Sequence, residues 1–331
     1  MHGPRPAAGR DPRGARRGAC GPGGRGVTSG VLVVDKAPGG TSFDVVALVR
    51  RRLRVRRVGH AGTLDPGATG VLAILIGEAT KLAPYLTEQD KEYVATLRFG
   101  IATDTQDLTG RVLAEAPVPP LTVASLTEAT RPFVGRIQQV PPMYSAVHHE
   151  GRRLYELARE GREVPRQPRE VVVHAITVEE VTPPTARLRI VCGKGTYVRA
   201  LARDLGAALG CGAVVERLVR TRVGPYTLAD AVRGDELGRL EPAAIWARVR
   251  PPVSALAAWP QVRLDARATV AFLHGQTVSA PPGLPPGARH VAVHGAGGGF
   301  LGVGELLAGG RLVKPERILH ADHPGPRVLP A

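Results

Sequence analysis

The strongest constraint in this sequence is a twelve-residue stretch, Gly59-His60-Ala61-Gly62-Thr63-Leu64-Asp65-Pro66-Gly67-Ala68-Thr69-Gly70. Its four glycines and one proline prevent a regular helix or strand from running through it. Before it, Val45, Val46, Leu48, Val49 and Leu53 recur at helical spacing and lead into a run of arginines. After it, Val71-Leu72-Ala73-Ile74-Leu75-Ile76 is an unbroken apolar run that reads as a buried strand. The chain must therefore turn tightly between a half-buried helix and a core strand. Asp65 stands at the centre of that turn, with no other acid within a dozen residues on either side. Asp-Pro-Gly is also a common turn tripeptide, so taken alone it is structural punctuation.

The charge balance points to a partner. Lysine and arginine total 44 against 29 acids, a net charge of +15 with a pI near 10.7. Such an excess favours a polyanion, because each phosphate neutralised releases counterions. An anionic membrane is the other polyanion, but no apolar stretch approaches the roughly 18–20 residues that span a bilayer. The N-terminus also lacks the apolar core of a signal peptide. Three cysteines, Cys20, Cys192 and Cys211, form no CxxC pair and leave an odd number, which fits a reducing cytoplasm rather than a disulfide framework or zinc ribbon. In His148-His149-Glu150, adjacent side chains of an extended segment point to opposite faces, so no metal site is expected there. The length of 331 residues and 43% hydrophobic content suit one large domain and a smaller one.

Residues 1–29 are glycine, proline, alanine and arginine, too poor in large apolar side chains to offset ordering entropy, and are expected to form a disordered basic tail. It serves either non-specific RNA affinity or solubility. Order should begin with a strand at Gly30–Val34. Thr41 and Asp44 stand in capping-box spacing before the helix. Lys36, in the turn between, reads as a phosphate contact, a buried partner for a carboxylate, or an exposed loop lysine. Arg50, Arg51, Arg52, Arg54, Arg56 and Arg57 crowd the helix end beyond what capping needs, which favours phosphate contact. A short helix over 77–86 and a half-buried strand over Lys91–Phe99 follow. In that strand Tyr93 reads as core or cross-strand packing.

Residues 138–167, rich in proline, glycine and basic side chains, read as a long excursion between strands. Strands at about 170–181 and 185–192 lead into Cys192-Gly193-Lys194-Gly195-Thr196-Tyr197-Val198-Arg199. This is no P-loop: Leu188 stands where the first glycine belongs, and Gly195 follows Lys194. A helix from about Thr196 to Leu209 would bury Val198, Leu201 and Leu205 and leave Arg199 on the surface. Val214 to Thr221 is another strand, with Leu218 an ordinary core position. Connecting helices from about 225 to 258 end at Pro251-Pro252. Short strands separated by glycine and proline clusters fill 259–320.

These segments, in this order, resemble the TruB family of bacterial tRNA pseudouridine synthases over residues 30 to about 320. The Asp65 stretch resembles the family's catalytic loop, and Lys36 its N-terminal motif, with Ala37 and Phe43 departing from the usual residues. Residues 192–199 resemble its second active-site motif, with Gly193 in place of a more usual serine. The resemblance implies an α+β pseudouridine synthase fold, a mixed and largely antiparallel sheet flanked by helices, over 30–250. It implies an insertion at about 138–167 that closes over the RNA arm, and a small PUA-like RNA-binding β domain at 259–320. An unrelated small barrel is the alternative for the last. It also implies isomerisation of uridine 55 in the TΨC arm of tRNA, by a cytoplasmic monomer needing no cofactor, no metal and no obligate protein partner. A non-catalytic RNA-binding or tRNA-folding protein on the same scaffold is the alternative. By this match Asp65 is the nucleophile and Arg199 its partner. Tyr93, Tyr197 and Leu218 line the uracil pocket, and His60 holds RNA in an opened-out shape. Asp65 must then be ionised in a mostly apolar pocket, where burial opposes charge and a guanidinium favours it.

Overall fold

The computed structural model describes residues 29–319. The tail expected over 1–29 therefore lies outside the described residues, save Ser29. The chain begins with β1 (Gly30–Lys36), α1 (Ser42–Leu53), β2 (Val58–Ala61) and β3 (Thr69–Ile76). A 3-10 turn over 77–82 leads to α2 (Ala83–Glu88), β4 (Lys91–Phe99) and a hairpin of β5 (Ile101–Thr103) and β6 (Val112–Glu115). Next come α3 (Val123–Thr130), β7 (Gly135–Gln139), a small hairpin of β8 (His148–His149) and β9 (Arg152–Arg153), and α4 (Leu154–Arg159). The long strands β10 (Arg169–Thr182) and β11 (Thr185–Cys192) precede α5 (Val198–Ala208) and β12 (Ala213–Val223). Short pieces follow: β13 (Tyr226–Thr227), β14 (Val232–Arg233), α6 (Gly234–Leu237) and α7 (Pro242–Trp246). The chain closes with β15 (Gln261–Arg263), α8 (Ala266–Leu273), β16 (Val278–Ser279), β17 (His290–His294), β18 (Phe300–Leu307) and β19 (Leu312–Ile318).

One ten-stranded sheet runs in the order β14-β1-β3-β12-β4-β11-β10-β7, with β2 on β3 and β13 on β12. Its pairs are antiparallel except β1 with β14 and β3 with β12, so the sheet is mixed and largely antiparallel. From Val71 to Ile76 β3 is apolar without a break because it is buried on both faces. Leu72, Ile74 and Ile76 meet α1 through Val46, Val49 and Leu53. Val71, Ala73 and Leu75 meet Ala255 and Leu256, with Ala292 and Val303 from the C-terminal strands. α1 starts where the capping box closes, Asp44 N donating to Thr41 Oγ1 at 3.1 Å and Thr41 N to Asp44 Oδ2 at 2.8 Å. It stops at Arg54, which is left-handed at φ 55°. On the same sheet face α5 buries Val198, Leu201, Ala202 and Leu205 against Ala95, Leu97, Leu188 and Ile190.

Along its free edge β3 changes partner: Thr69 and Gly70 pair with β12, and Ala73 to Ile76 with β2. The loop from Gly62 to Ala68 leaves the sheet at that change, on the face between α1 and α5. The C-terminal sheet, β15-β17-β18-β19-β16, packs on the opposite face. Its seam stacks Trp259 on His290 at 5.2 Å, and Lys81 Nζ donates to Ile318 O at 2.7 Å. The expectation of strands alone over 259–320 needs correcting. Asp265 caps Ala268 N at 2.7 Å and starts α8, whose Phe272 is fully buried in the small core.

Candidate active site

The Asp65 loop is tied down almost carbonyl by carbonyl. Arg220, on β12 and only 1% exposed, donates to Val71 O at 2.8 Å, Thr63 O at 3.3 Å and Gly62 O at 3.0 Å. Ser42, at the start of α1, accepts from Leu64 N at 2.8 Å and donates to Leu64 O at 3.1 Å. Ala68 N donates to Asp65 O at 3.1 Å, and Gly39 N to Pro66 O at 2.9 Å. Lys36 Nζ donates to Pro66 O at 3.0 Å and Ala68 O at 2.9 Å. Gly70 is glycine for two reasons: its φ is 102°, and a Cβ there would lie 2.2 Å from Arg220 O. A loop held this way presents its one carboxylate without further ordering cost.

That side chain meets Arg199. Arg199 Nε donates to Asp65 Oδ2 at 2.8 Å, while its other nitrogens donate to Thr105 O at 3.0 Å and Tyr144 O at 2.7 Å. The arginine side chain is 6% exposed and the aspartate 41%, so one carboxylate oxygen is pinned from below and the group still faces open space. The surface position read from helical periodicity for Arg199 is thus corrected. It is buried because three acceptors from three segments surround its fork. That space is a cleft of about 290 Å³ bordered by Asp65, Tyr93, Tyr197, Arg199, Leu218 and Lys91. That volume falls just below the roughly 300–1,000 Å³ of small-molecule sites, room for one small group rather than a length of chain.

Tyr93 comes from β4 and Tyr197 from the residue before α5. Burial pushes the Tyr93 hydroxyl above the usual phenol range, with the nearby Arg220 working against it. Burial raises Tyr197 likewise. Tyr197 is fixed through its backbone, its N donating to Gln139 Oε1 at 2.8 Å and its O accepting from Gln139 Nε2 at 3.1 Å. Both rings are therefore neutral hydroxyl bearers at neutral pH.

Two of the residues named from the sequence stand outside the cleft. Lys36 is 1% exposed, so the phosphate-contact and exposed-loop readings are corrected: it holds the loop from behind, and burial lowers its pKa, opposed by the charge of Asp65. His60 sits on β2 opposite Ile74, with Nδ1 buried and without a hydrogen-bond partner. Burial first, then Arg220, lower its pKa, so the ring is neutral. Within the arginine run, Arg50 donates to Val58 O at 3.2 Å, Arg52 to Leu240 O, and Arg57 pairs with Glu78 at 2.6 Å. Arg51, Arg54 and Arg56 are exposed. Arg220, Ser42, Gln139 and Lys91 were not singled out in the sequence. Arg220 had a signal: it stands two residues from Leu218 on one strand, so both face the same side. Among the described residues no three His, Cys, Asp or Glu side chains are arranged to hold a metal ion, and no helix is long and apolar enough to cross a membrane.

The mixed sheet and its flanking helices have the form of the pseudouridine synthase fold. A solved structure described as a Cbf5-Nop10-Gar1 complex shares the fold at a TM-score of 0.68 and 26% identity, over 88% of this chain and 85% of that one. Residues 50–198 match the TruB family pseudouridylate synthase N-terminal domain. Residues 199–250 match the tRNA pseudouridylate synthase B C-terminal domain, and 260–319 the pseudouridine synthase II TruB C-terminal region. The chain belongs to the TruB family. The tRNA pseudouridine synthase B of Symbiobacterium thermophilum is 51% identical over 74% of this chain and 82% of its own. That of Pseudomonas paraeruginosa is 42% identical over 88% and 96%.

Proposed function

We propose that this protein isomerises uridine to pseudouridine in tRNA, at position 55 of the TΨC arm, as a cytoplasmic monomer without cofactor or obligate protein partner. The observation that carries the reading is the Asp65–Arg199 pair, at 2.8 Å, opening onto a cleft lined by two tyrosines and Leu218. The target base is hidden in a folded arm, so it must be flipped out at a cost of a few kcal/mol. Phosphate contacts by the exposed arginines and by residues 138–167 and 259–320 offset that cost. His60, only partly buried on β2, helps hold the opened arm. In the cleft the ring of Tyr93 packs on the uracil face opposite Leu218. Asp65 acts at C1′ or C6, or by a glycal route, while the C1′–N1 bond breaks and a C1′–C5 bond forms. The C5 proton leaves through a hydroxyl such as that of Tyr197, and N1 takes a proton, so the product is an isomer of the substrate.

The test is to incubate unmodified tRNA transcripts with wild-type protein, label pseudouridine with carbodiimide, and map it by primer extension. A single new stop at position 55 supports the proposal. Stops elsewhere would displace the site assignment. No stop, with tRNA still bound, would support a non-catalytic tRNA-folding role on this scaffold.

A further inference from the structure

Lys91 borders the same cleft and has no task in the reaction just outlined. It is 6% exposed, and its Nζ donates to the main-chain carbonyls of Thr87 and Gln89, the second at 2.5 Å. An ammonium carries three N–H groups, so one remains for whatever occupies the cleft. Among the described residues no carboxylate pairs with it: Asp90 is 3.0 Å from His174, and Glu88 is joined to Lys194. Beside it stands Arg220, 1% exposed and bonded to main-chain carbonyls. The carboxylate of the cleft, Asp65, is already matched by Arg199. Two buried cations therefore converge on a space where the protein supplies no free anion. A buried charge without a counter-charge is costly, and a site that keeps two is complementary to a ligand that is negative when it matters.

Neutral uracil is not that ligand, but uracil leaving the ribose is. When C1′–N1 breaks heterolytically, the bonding pair stays on N1 and spreads over O2 and O4. The electron-poor C1′ is taken by the Asp65 carboxylate or relieved by loss of the C2′ proton to it. The rotated anion then bonds through C5 to C1′, which by the second route first regains its C2′ proton. The C5 proton leaves, and N1 takes a proton, which balances the isomerisation. Resting on the function proposed above, we propose that Lys91 is a catalytic residue that donates its third N–H to the departing uracil anion, with Arg220 supplying a fixed positive background. Burial, then the charge of Arg220, pull the Lys91 pKa down to about 8, opposed by Cys192, Asp90 and Glu88. Its ammonium is thus charged at neutral pH and lost just above it.

The experiment compares wild type, Lys91→Met and Lys91→Arg in single turnover. The substrates are tRNAs carrying uridine or 5-fluorouridine at the target, fluorine making the leaving base more acidic. Because fluorine also replaces the C5 proton whose loss completes the isomerisation, the rate read on both is that of breaking the C1′–N1 bond. Loss of a preorganised donor at a developing charge should slow Lys91→Met on uridine by about 10²–10³-fold. On 5-fluorouridine the loss should be smaller by about tenfold, because a more acidic base needs less help. Affinity for tRNA should hold. The wild-type rate should fall above pH 8, following the Lys91 pKa of about 8, and Lys91→Arg should carry that fall to higher pH. Equal slowing on both substrates, or an unmoved fall in Lys91→Arg, would overturn the proposal. If Lys91→Met does not fold, the two pH profiles decide. An inactive wild type would instead remove the functional reading beneath it.

Discussion

At the scale of the residue, Arg199 shows both what periodicity reveals and what it misses. The stripe of Val198, Leu201 and Leu205 was legible as the buried face of a helix. The burial of Arg199 was not, because its acceptors come from residues 55 to 134 positions away in sequence, where no local pattern reaches: Asp65, Thr105 and Tyr144. Only the likeness of the whole segment to a known motif paired it with Asp65. If the pair serves chemistry, Arg199→Ala should lower the single-turnover rate by about 10²-fold or more while tRNA affinity changes by no more than about threefold. A fall in affinity as steep as the fall in rate would mean that Arg199 holds RNA instead. Lys91 gives a second residue-level test, on stability. Its folded pKa, about 8, is below the unfolded value of 10.5, so the unfolded chain binds more protons between the two. Burial of the ammonium therefore costs stability fully below pH 8, and the cost fades as pH rises through the window to 10.5. Denaturant melts should show wild type gaining on Lys91→Met between those limits, in the same range where the rate is expected to fall.

At the scale of the element, the Asp65 loop is held in place because three elements grip its backbone. β1 reaches it through Lys36, α1 through Ser42 and β12 through Arg220. The sequence located the loop, since glycine and proline forbid anything regular there, and it located β3 through its apolar run. It did not disclose the grip, because a lysine or arginine that bonds only carbonyls looks like a surface residue until the partner strand is known. Gly70 is the point of closest approach. Gly70→Ala would combine a φ of 102° with a 2.2 Å clash against Arg220 O, and should destabilise the fold by on the order of 3 kcal/mol in urea melts. A loss under about 0.5 kcal/mol, the scatter of neutral surface changes, would show that β3 and β12 can part there. α8 was missed for a different reason: the glycine and proline clusters around it argued for short strands, and the capping role of Asp265 was outweighed.

At the scale of the whole molecule, a net charge of +15 read from composition foretold a basic surface, but not which cations are free. Of the six arginines that end α1, Arg50, Arg52 and Arg57 serve the fold, and Arg51, Arg54 and Arg56 are exposed. Replacing those three with glutamine should weaken tRNA binding and reduce the slope of log affinity against log salt by roughly two to three, if each meets one phosphate. An unchanged slope would place the RNA on another face. The central claim, that a clamped aspartate isomerises a flipped uridine, is tested most directly by release of tritium from tRNA labelled at uracil C5. Wild-type protein should release the label, and Asp65→Asn should release none while binding tRNA as tightly. Equal release by both, or none by a wild type that binds tRNA well, would contradict it.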